Sequence, residues 1–132
     1  KFCKKQKRFF YLSNNIKLAI NLNLDGAYIP AFNRELAIKK YKKKKNFLIL
    51  GSAHNIFEIR TKEKQGVEII FLSPIFKTKN YKRELGIIKF NFLSKKTHNK
   101  VIALGGINKK NIKKLKNTNV YGYSGISYFK NK

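Results

Sequence analysis

Short apolar runs recur along the chain about every 20 to 30 residues, and segments with helical spacing of apolar residues separate them. The runs cover residues 9–12, 27–29, 47–50, 67–72, 101–104 and 120–126. Strands that alternate with helices in this way form parallel sheets with right-handed connections. The sequence therefore predicts an α/β domain with about six βα units.

Local signals predict where several helices begin and end. Asn55 and Glu58 have the spacing of an N-cap and capping-box pair. A basic helix is predicted over residues 34–45, where its last turn runs into consecutive lysines. Gly26 and Gly66 each stand just before a predicted strand, and we expect both to take the left-handed conformation that ends a helix.

The segment 101–108 predicts a buried strand that runs directly into a helix start. Gly105 and Gly106 follow the apolar run, and Asn108 is predicted to cap the next helix. Backbone N–H groups without a neighbouring Cβ form a cradle for phosphate at such a turn. The alternative is that the two glycines serve only the geometry of a tight turn.

The basic charge of the chain is interpreted mainly as a solvated surface, with nucleic-acid binding as the alternative; an anionic small substrate would also benefit from the field. The 132 residues carry a formal net charge of +25, but only four of the 31 basic residues are arginine. Arginine is the preferred reader of bases and phosphates, whereas these lysines are spread along the whole chain. We therefore predict a solvated basic surface and no specific nucleic-acid partner.

The few cysteines and histidines exclude some kinds of site. Cys3 is the only cysteine, which excludes an internal disulfide and fits a reducing compartment, so we predict a cytoplasmic protein. His54 and His98 are the only histidines, too few for a zinc site of the Cys/His type. No apolar stretch approaches the roughly 18 residues that a membrane span requires.

Polar and small residues follow each predicted strand. In a parallel βα sheet the carboxyl ends of the strands meet at one edge, where ligands bind. Hydroxyls, amides, glycines and lysines converging there suit a phosphorylated ligand, although ordinary loop composition is the alternative for any one segment. The segments are residues 13–15, 30–33, 51–54, 73–82, 105–106 and 125–127.

Taken in order, these motifs resemble the thiamine-phosphate synthase/TenI family over nearly the whole chain. The resemblance implies a TIM (β/α)8 barrel, of which residues 1–132 would be a partial domain, N-terminally truncated, with the first two βα units missing. It implies thiamine biosynthesis, in which hydroxymethylpyrimidine diphosphate joins thiazole phosphate with release of pyrophosphate. The motifs lie at residues 12–19, 25–29, 50–54, 71–78, 102–107 and 122–127.

The resemblance also implies roles for individual residues in binding the two substrates. Ser52 would contact the pyrimidine diphosphate, and Lys82 or Lys79 would replace the family's diphosphate-binding lysine, which falls on Tyr81. The positions implied for the thiazole phosphate are Thr78, Asn80, Gly105, Gly106, Ile126 and Ser127.

Two departures from the family pattern leave the chemistry open. The positions of the magnesium aspartates fall on Asn14 and Asn33, and amides bind Mg2+ less tightly than carboxylates do. His54 falls where the TenI-like thiazole tautomerase branch has its proton-transfer histidine. The alternatives to a synthase are therefore a metal-free tautomerase, a non-catalytic protein that binds a phosphorylated ligand and, more distantly, a basic nucleic-acid-binding module.

Overall fold

A computed structural model describes residues 2–41, 43–81 and 83–130, and its central feature is a six-stranded sheet. All neighbouring strands are parallel, and their order in the sheet follows the order of the sequence. Every predicted apolar run overlaps one strand, which confirms the α/β prediction. The strands are β1 (Tyr11–Ser13), β2 (Gly26–Ile29), β3 (Leu48–Ala53), β4 (Ile69–Leu72), β5 (Lys100–Leu104) and β6 (Gly122–Ser124).

A helix follows each strand, as a βα repeat requires. Two of these helices are short 3-10 helices, Leu36–Lys40 after β2 and Ile112–Asn117 after β5. A further α-helix, α1, precedes the sheet, and none of the helices in the described ranges has the length and hydropathy needed to cross a bilayer. The α-helices are α1 (Phe2–Lys5), α2 (Ile16–Asn21), α3 (Ile56–Lys64), α4 (Gly86–Ser94) and α5 (Ile126–Lys130).

The core lies between the sheet and the helices packed on it. Ile49, Ile70 and Leu72 of the central strands have no exposed surface, and neither do Ile59 of α3 and Phe90 of α4. Central parallel strands are covered by helices, which is why they read as continuous apolar runs in the sequence. Burial of a side chain of this size contributes about 1.5–3 kcal/mol each, so these contacts supply much of the fold's stability.

The predicted basic helix over residues 34–45 is wrong in type and length. The structure has a 3-10 helix at Leu36–Lys40, and within it only Ile38 is buried. Lysines repel one another at helical spacing, and a single buried apolar residue gives no stripe to pack on the sheet. Lys44 lies beyond the 3-10 helix, and its Nζ donates a hydrogen bond to the side-chain oxygen of Asn23 over 3.0 Å.

The helix predicted directly after Asn108 is also different. Asn108 Oδ1 accepts hydrogen bonds from the backbone N–H groups of Lys110 and Asn111, so it caps a turn rather than an α-helix. The 3-10 helix then begins at Ile112. A lysine-rich sequence with a single buried residue, Leu115, again favours the short form.

Glycine is required at positions 66 and 26 for different structural reasons. Gly66 has φ +76°, as predicted for the end of α3. Gly26 lies within β2, and Asn23 takes the left-handed position before it with φ +51°. A Cβ on Gly26 would overlap the carbonyl oxygen of Leu48 on the neighbouring strand. Close strand pairing, and not a helix end, therefore requires glycine at position 26.

Replacing Gly26 by alanine is expected to destabilise the fold by about 1–3 kcal/mol, because the added methyl group forces β2 away from β3. Gly122→Ala is the matched control, since Gly122 also begins a strand but has no atom within 4 Å of the Cβ position. Urea unfolding of the two variants and the parent chain measures the difference. Equal midpoints for the two variants would contradict this explanation of Gly26.

The two edge strands predict self-association. Within the described residues β1 pairs with β2 alone and β6 with β5 alone, and open strand edges pair readily with other chains. Phe9 and Tyr123, beside and within these edges, are 75% and 42% exposed. We expect sedimentation velocity to show assembly that increases with protein concentration. A monomer throughout the concentration range would contradict this prediction.

Candidate functional site

A cavity of about 380 Å3 opens at the carboxyl ends of the strands. It is called the rim pocket below. The structure brings six of the predicted site residues to its wall, although they are spread over 75 residues of sequence, from 52 to 126. These residues are Ser52, His54, Thr78, Asn80, Gly105 and Ile126. Sequence reasoning missed the aromatic part of the wall, formed by Tyr28, Phe32 and Tyr81.

A larger cavity of about 890 Å3 lies at the opposite, amino end of the strands. Phe9, Asp25, Lys44 and Glu68 are among its lining residues. None of the predicted site residues reaches it, and ligands of parallel βα sheets bind at the carboxyl ends. The smaller rim pocket is therefore the better candidate site.

The remaining predicted residues lie outside the wall of the rim pocket. Gly106 follows Gly105 in the β5 turn, and Ser127 lies exposed in the first turn of α5. Asn14 and Asn33 lie together at the ends of β1 and β2. Lys82 lies outside the described residues. Ile126, predicted to end a strand, is the first residue of α5.

The two glycines after β5 allow a neighbouring loop to pack on their backbone. Gly105 and Gly106 have φ +97° and +69°. A Cβ on Gly105 would lie 2.8 Å from the Cβ of Pro74, and one on Gly106 would lie 2.6 Å from the carbonyl oxygen of Phe76. The Phe76 N–H donates to the Gly105 carbonyl over 3.1 Å, which fastens the loop to the turn. Turn geometry alone accounts for both glycines, and a phosphate cradle remains a prediction.

His54 is held in a fixed orientation at the end of β3. Its Nδ1 lies 2.8 Å from the carbonyl oxygen of Ser73, which can only accept a hydrogen bond, so Nδ1 carries the proton. In the neutral ring Nε2 is then the unprotonated nitrogen. The ring also lies 5.3 Å from that of Tyr81, centroid to centroid. This arrangement gives the pocket a proton acceptor of defined geometry.

The predicted capping pair positions the backbone beside this histidine. Asn55 Oδ1 accepts from the Glu58 N–H over 3.0 Å, which confirms the N-cap of α3. The Glu58 carboxylate accepts from the backbone N–H of His54 over 2.7 Å, one residue earlier than a capping box requires. The start of α3 therefore fixes His54 through its main chain as well as its ring.

The two amides to which the resemblance assigns the metal positions, Asn14 and Asn33, contact each other. Asn33 Nδ2 donates to Asn14 Oδ1 over 2.7 Å, and Asn33 Oδ1 accepts from the Glu35 N–H over 2.8 Å. Asn14 has φ +56°, a left-handed conformation that asparagine tolerates better than most residues. Their places after predicted strands put both residues at the same edge of the sheet, and the resemblance to the family linked them as a pair.

Sequence reasoning missed a buried polar network directly beneath Asn33. Lys62 lies in α3 and Gln65 is the C-cap of that helix, and neither side chain has any exposed surface. The Lys62 ammonium donates to the Asn33 carbonyl over 2.7 Å and to Gln65 Oε1 over 2.8 Å. Gln65 Nε2 in turn donates to the carbonyl oxygens of Asn33 (3.0 Å) and Glu35 (3.1 Å).

Two features of the sequence could have indicated the buried lysine. Lys62 is three residues after Ile59, so helical spacing places it on the buried face of α3. Gly51 on β3 leaves room for it, since a Cβ there would lie 3.0 Å from the Lys62 Cδ. Burial lowers the pKa of Lys62 to about 8, and the nearby Glu58 carboxylate acts in the opposite direction. The side chain therefore stays protonated at pH 7.

The amide pair does not fit Mg2+ as it stands. Both side-chain oxygens already accept N–H groups, and the Asn33 NH2 group points at Asn14 where a cation would need an acceptor. Mg2+ prefers carboxylate oxygens, and the described residues contain no cluster of three His, Cys, Asp or Glu able to hold a metal. The chemistry of this donor set disagrees with a bound magnesium ion.

Mg2+ should therefore bind the unaltered chain weakly, and Asn14→Asp with Asn33→Asp should create a measurable site. The two carboxylates restore the charge that a hard divalent cation requires. Isothermal titration with MgCl2 compares the parent and the double variant, and Asn23→Asp with Asn46→Asp is a control with the same change in charge. Tight Mg2+ binding to the parent, lost on Asn14→Ala, would show that the amides are metal ligands.

Comparisons with known proteins agree with this fold. The family model described as thiamine monophosphate synthase matches residues 1–129. The chain is 32% identical over 128 residues to a putative thiamine-phosphate synthase 2 of Aquifex aeolicus, covering 96% of this chain and 68% of that protein. It is also 32% identical over 127 residues to a thiamine-phosphate synthase of Prochlorococcus marinus, covering 89% of this chain but 35% of that protein.

A solved structure gives the same architecture. The thiamine phosphate pyrophosphorylase from Pyrococcus furiosus superposes with a TM-score of 0.73 at 22% identity. The match covers 94% of this chain and 59% of that one. The chain thus spans between about one third and two thirds of the length of these three proteins.

Proposed function

The chain belongs to the thiamine monophosphate synthase family, and we propose that it binds thiazole phosphate in the rim pocket and acts in the formation of thiamine phosphate. In this reaction the thiazole nitrogen attacks the methylene carbon of the pyrimidine diphosphate. The C–O bond to the diphosphate breaks first, and pyrophosphate leaves with its electron pair. The nitrogen then forms the new C–N bond to the methylene cation that remains. The protein's task is to align the two rings and to stabilise the departing anion.

The observation that carries this proposal is the convergence of six predicted residues on one pocket. Its volume of about 380 Å3 falls in the range of small-ligand sites. The hydroxyl groups of Ser52 and Thr78 and the amide of Asn80 supply hydrogen-bond partners, while Tyr28 and Tyr81 supply flat apolar surface for a heteroaromatic ring. This mixture suits a ring that carries a phosphorylated side chain.

The charge around the pocket supports a phosphorylated ligand. No acidic residue is among the described residues that line it, so no carboxylate repels an anion there. Lys77 and Lys79 lie in the loop that also carries Thr78 and Asn80. Lysine binds phosphate as a flexible point charge, and the formal net charge of +25 adds an attractive long-range field.

Under the tautomerase alternative, His54 would hold or move a proton at the ring of the bound thiazole. Because Nδ1 donates to Ser73, Nε2 is the nitrogen able to accept a proton from a ligand. Ser52, almost fully buried on β3, would meet the pyrimidine diphosphate, and Lys79 would contribute charge to it. Gly106 and the backbone of Ile126 and Ser127 would hold the thiazole phosphate.

Thr78→Val is expected to weaken binding of thiazole phosphate about tenfold, because it removes one hydroxyl donor to a charged group. Isothermal titration with thiazole phosphate and with the unphosphorylated thiazole alcohol measures this effect. Thr61→Val is the matched control, since the Thr61 hydroxyl bonds the Phe57 carbonyl on α3 and lies outside the rim pocket.

Equal affinity of the parent for the phosphate and for the alcohol would contradict the proposed ligand. With the pyrimidine diphosphate added, formation of thiamine phosphate supports the synthase proposal. Binding without product would instead indicate the non-catalytic alternative, in which the chain keeps the ligand-binding residues and has lost the chemistry.

A further inference from the structure

Lys62 is a buried cation that forms no ion-pair contact with a carboxylate among the described residues, although the charge of nearby Glu58 favours its protonated form. Among the residues that the structure describes, the one ion pair joins Arg60 and Glu63 on the surface of α3. The Lys62 ammonium instead contacts two neutral oxygens, the Asn33 carbonyl and Gln65 Oε1. Burial of a charge without a contacting counter-ion is costly, so such a group persists where its charge or its hydrogen bonds serve a purpose.

We propose that the Lys62 ammonium is a built-in cation that takes the place of a divalent metal beneath the amide pair of Asn14 and Asn33. It is a positioning residue, because it acts on the rim through Asn33 and does not itself line the rim pocket. The inference rests on the proposed function, since a metal is expected at these positions only in a protein with the family's synthase chemistry.

The hydrogen bonds of Lys62 and Gln65 show how the loops after β1 and β2 are held together where a metal ion would otherwise link them. A metal would link the chain ends of β1 and β2 by accepting oxygen ligands from both. Here the Lys62 ammonium donates a hydrogen bond to the Asn33 carbonyl. Gln65 Nε2 contacts both that carbonyl (3.0 Å) and Asn33 Oδ1 (3.3 Å). Asn33 is thereby oriented so that its NH2 group donates to Asn14. The two ends are joined without any ion from solution.

The same geometry explains why the two aspartate positions hold amides. A fixed positive charge 2.7 Å from the Asn33 carbonyl repels a second cation placed beside the Asn33 side chain. An amide can donate a hydrogen bond to another amide, which two ionised carboxylates cannot do. Lysine at position 62 and asparagines at positions 14 and 33 are therefore mutually consistent choices. The residues after β2 that line the rim pocket, Pro30 to Phe32, directly precede this anchored residue.

Exchange of the lysine for a metal is the central test. In the Asn14→Asp, Asn33→Asp background, adding Lys62→Met should tighten Mg2+ binding at least about tenfold, because it removes the competing charge. Lys64→Met in the same background is the matched control, since Lys64 lies exposed on the same helix and carries the same charge. Isothermal titration with MgCl2 measures all three proteins. Equal Mg2+ affinity with and without Lys62 would overturn the proposal, because a purely structural lysine would not compete with a metal.

A second measurement needs no variant and covers the case in which Lys62→Met fails to fold. NMR of the parent chain, labelled with 15N at lysine and asparagine side chains, reports on Lys62, Asn14 and Asn33 directly. The Lys62 ammonium signal and the Asn33 amide signal should be protected from solvent exchange, because both groups donate hydrogen bonds. All three side-chain signals should be unchanged by millimolar Mg2+ or by a chelator. Mg2+-dependent shifts of these three signals, with exposed lysines unaffected, would show that a metal binds there and would overturn the proposal.

Neither measurement uses the thiazole or the pyrimidine. If thiazole phosphate fails to bind, the proposed function is wrong, and the Mg2+ comparison still decides whether Lys62 replaces a metal. If Lys62 has no effect on Mg2+ affinity while thiazole phosphate binds, the built-in cation is wrong and the proposed function stands. The two proposals therefore fail separately.

Discussion

Parallel pairing of the strands in sequence order is the constraint on which the site depends. Because each strand pairs in parallel with the next, all six carboxyl ends face the same edge of the sheet. The register aligns Ala53 with Leu72 and Leu72 with Ala103, so the residues that follow these strands become neighbours. That is how the ring of His54 comes to lie against the carbonyl of Ser73, 19 positions away in sequence. Loops that are distant in the chain thus form one pocket.

The sheet is anchored at this edge by a polar network inside an otherwise apolar core. Each buried side-chain nitrogen and oxygen atom of Lys62 and Gln65 has at least one partner, and the described residues contain no buried side-chain polar atom without one. A network in which every buried polar atom is hydrogen-bonded favours one arrangement of its members, since a change of arrangement breaks these bonds. The loop after β2 therefore has a defined position before any ligand arrives.

The strands were the most predictable part of this fold. Their apolar runs are recognisable even in this lysine-rich sequence, and each predicted run overlaps an observed strand. The type of helix was less predictable than the strands. Basic residues make up most of the segment 34–45, and its 3-10 helix buries only Ile38. An α-helix there would bring lysines close together, and it would lack an apolar stripe whose packing could offset their repulsion.

The site was predictable where it follows strand ends and unpredictable where it depends on contacts between elements. Ser52, His54 and Gly105 lie in the rim pocket because they stand at or just after the end of a strand. Lys62 was missed because 31 basic residues make each lysine look like part of the solvated surface. The orientation of His54 depends on a carbonyl of the neighbouring strand's loop, which no local pattern encodes.

A crystal structure grown with thiazole phosphate and Mn2+ tests the central claim most directly, because Mn2+ is located by its anomalous scattering. We expect thiazole phosphate in the rim pocket, no Mn2+ between Asn14 and Asn33, and a hydrogen bond from the Lys62 ammonium to the Asn33 carbonyl. An anomalous peak between these two side chains, with the Asn33 oxygen turned toward it, would contradict the account. The metal would then occupy the place that we assign to the lysine.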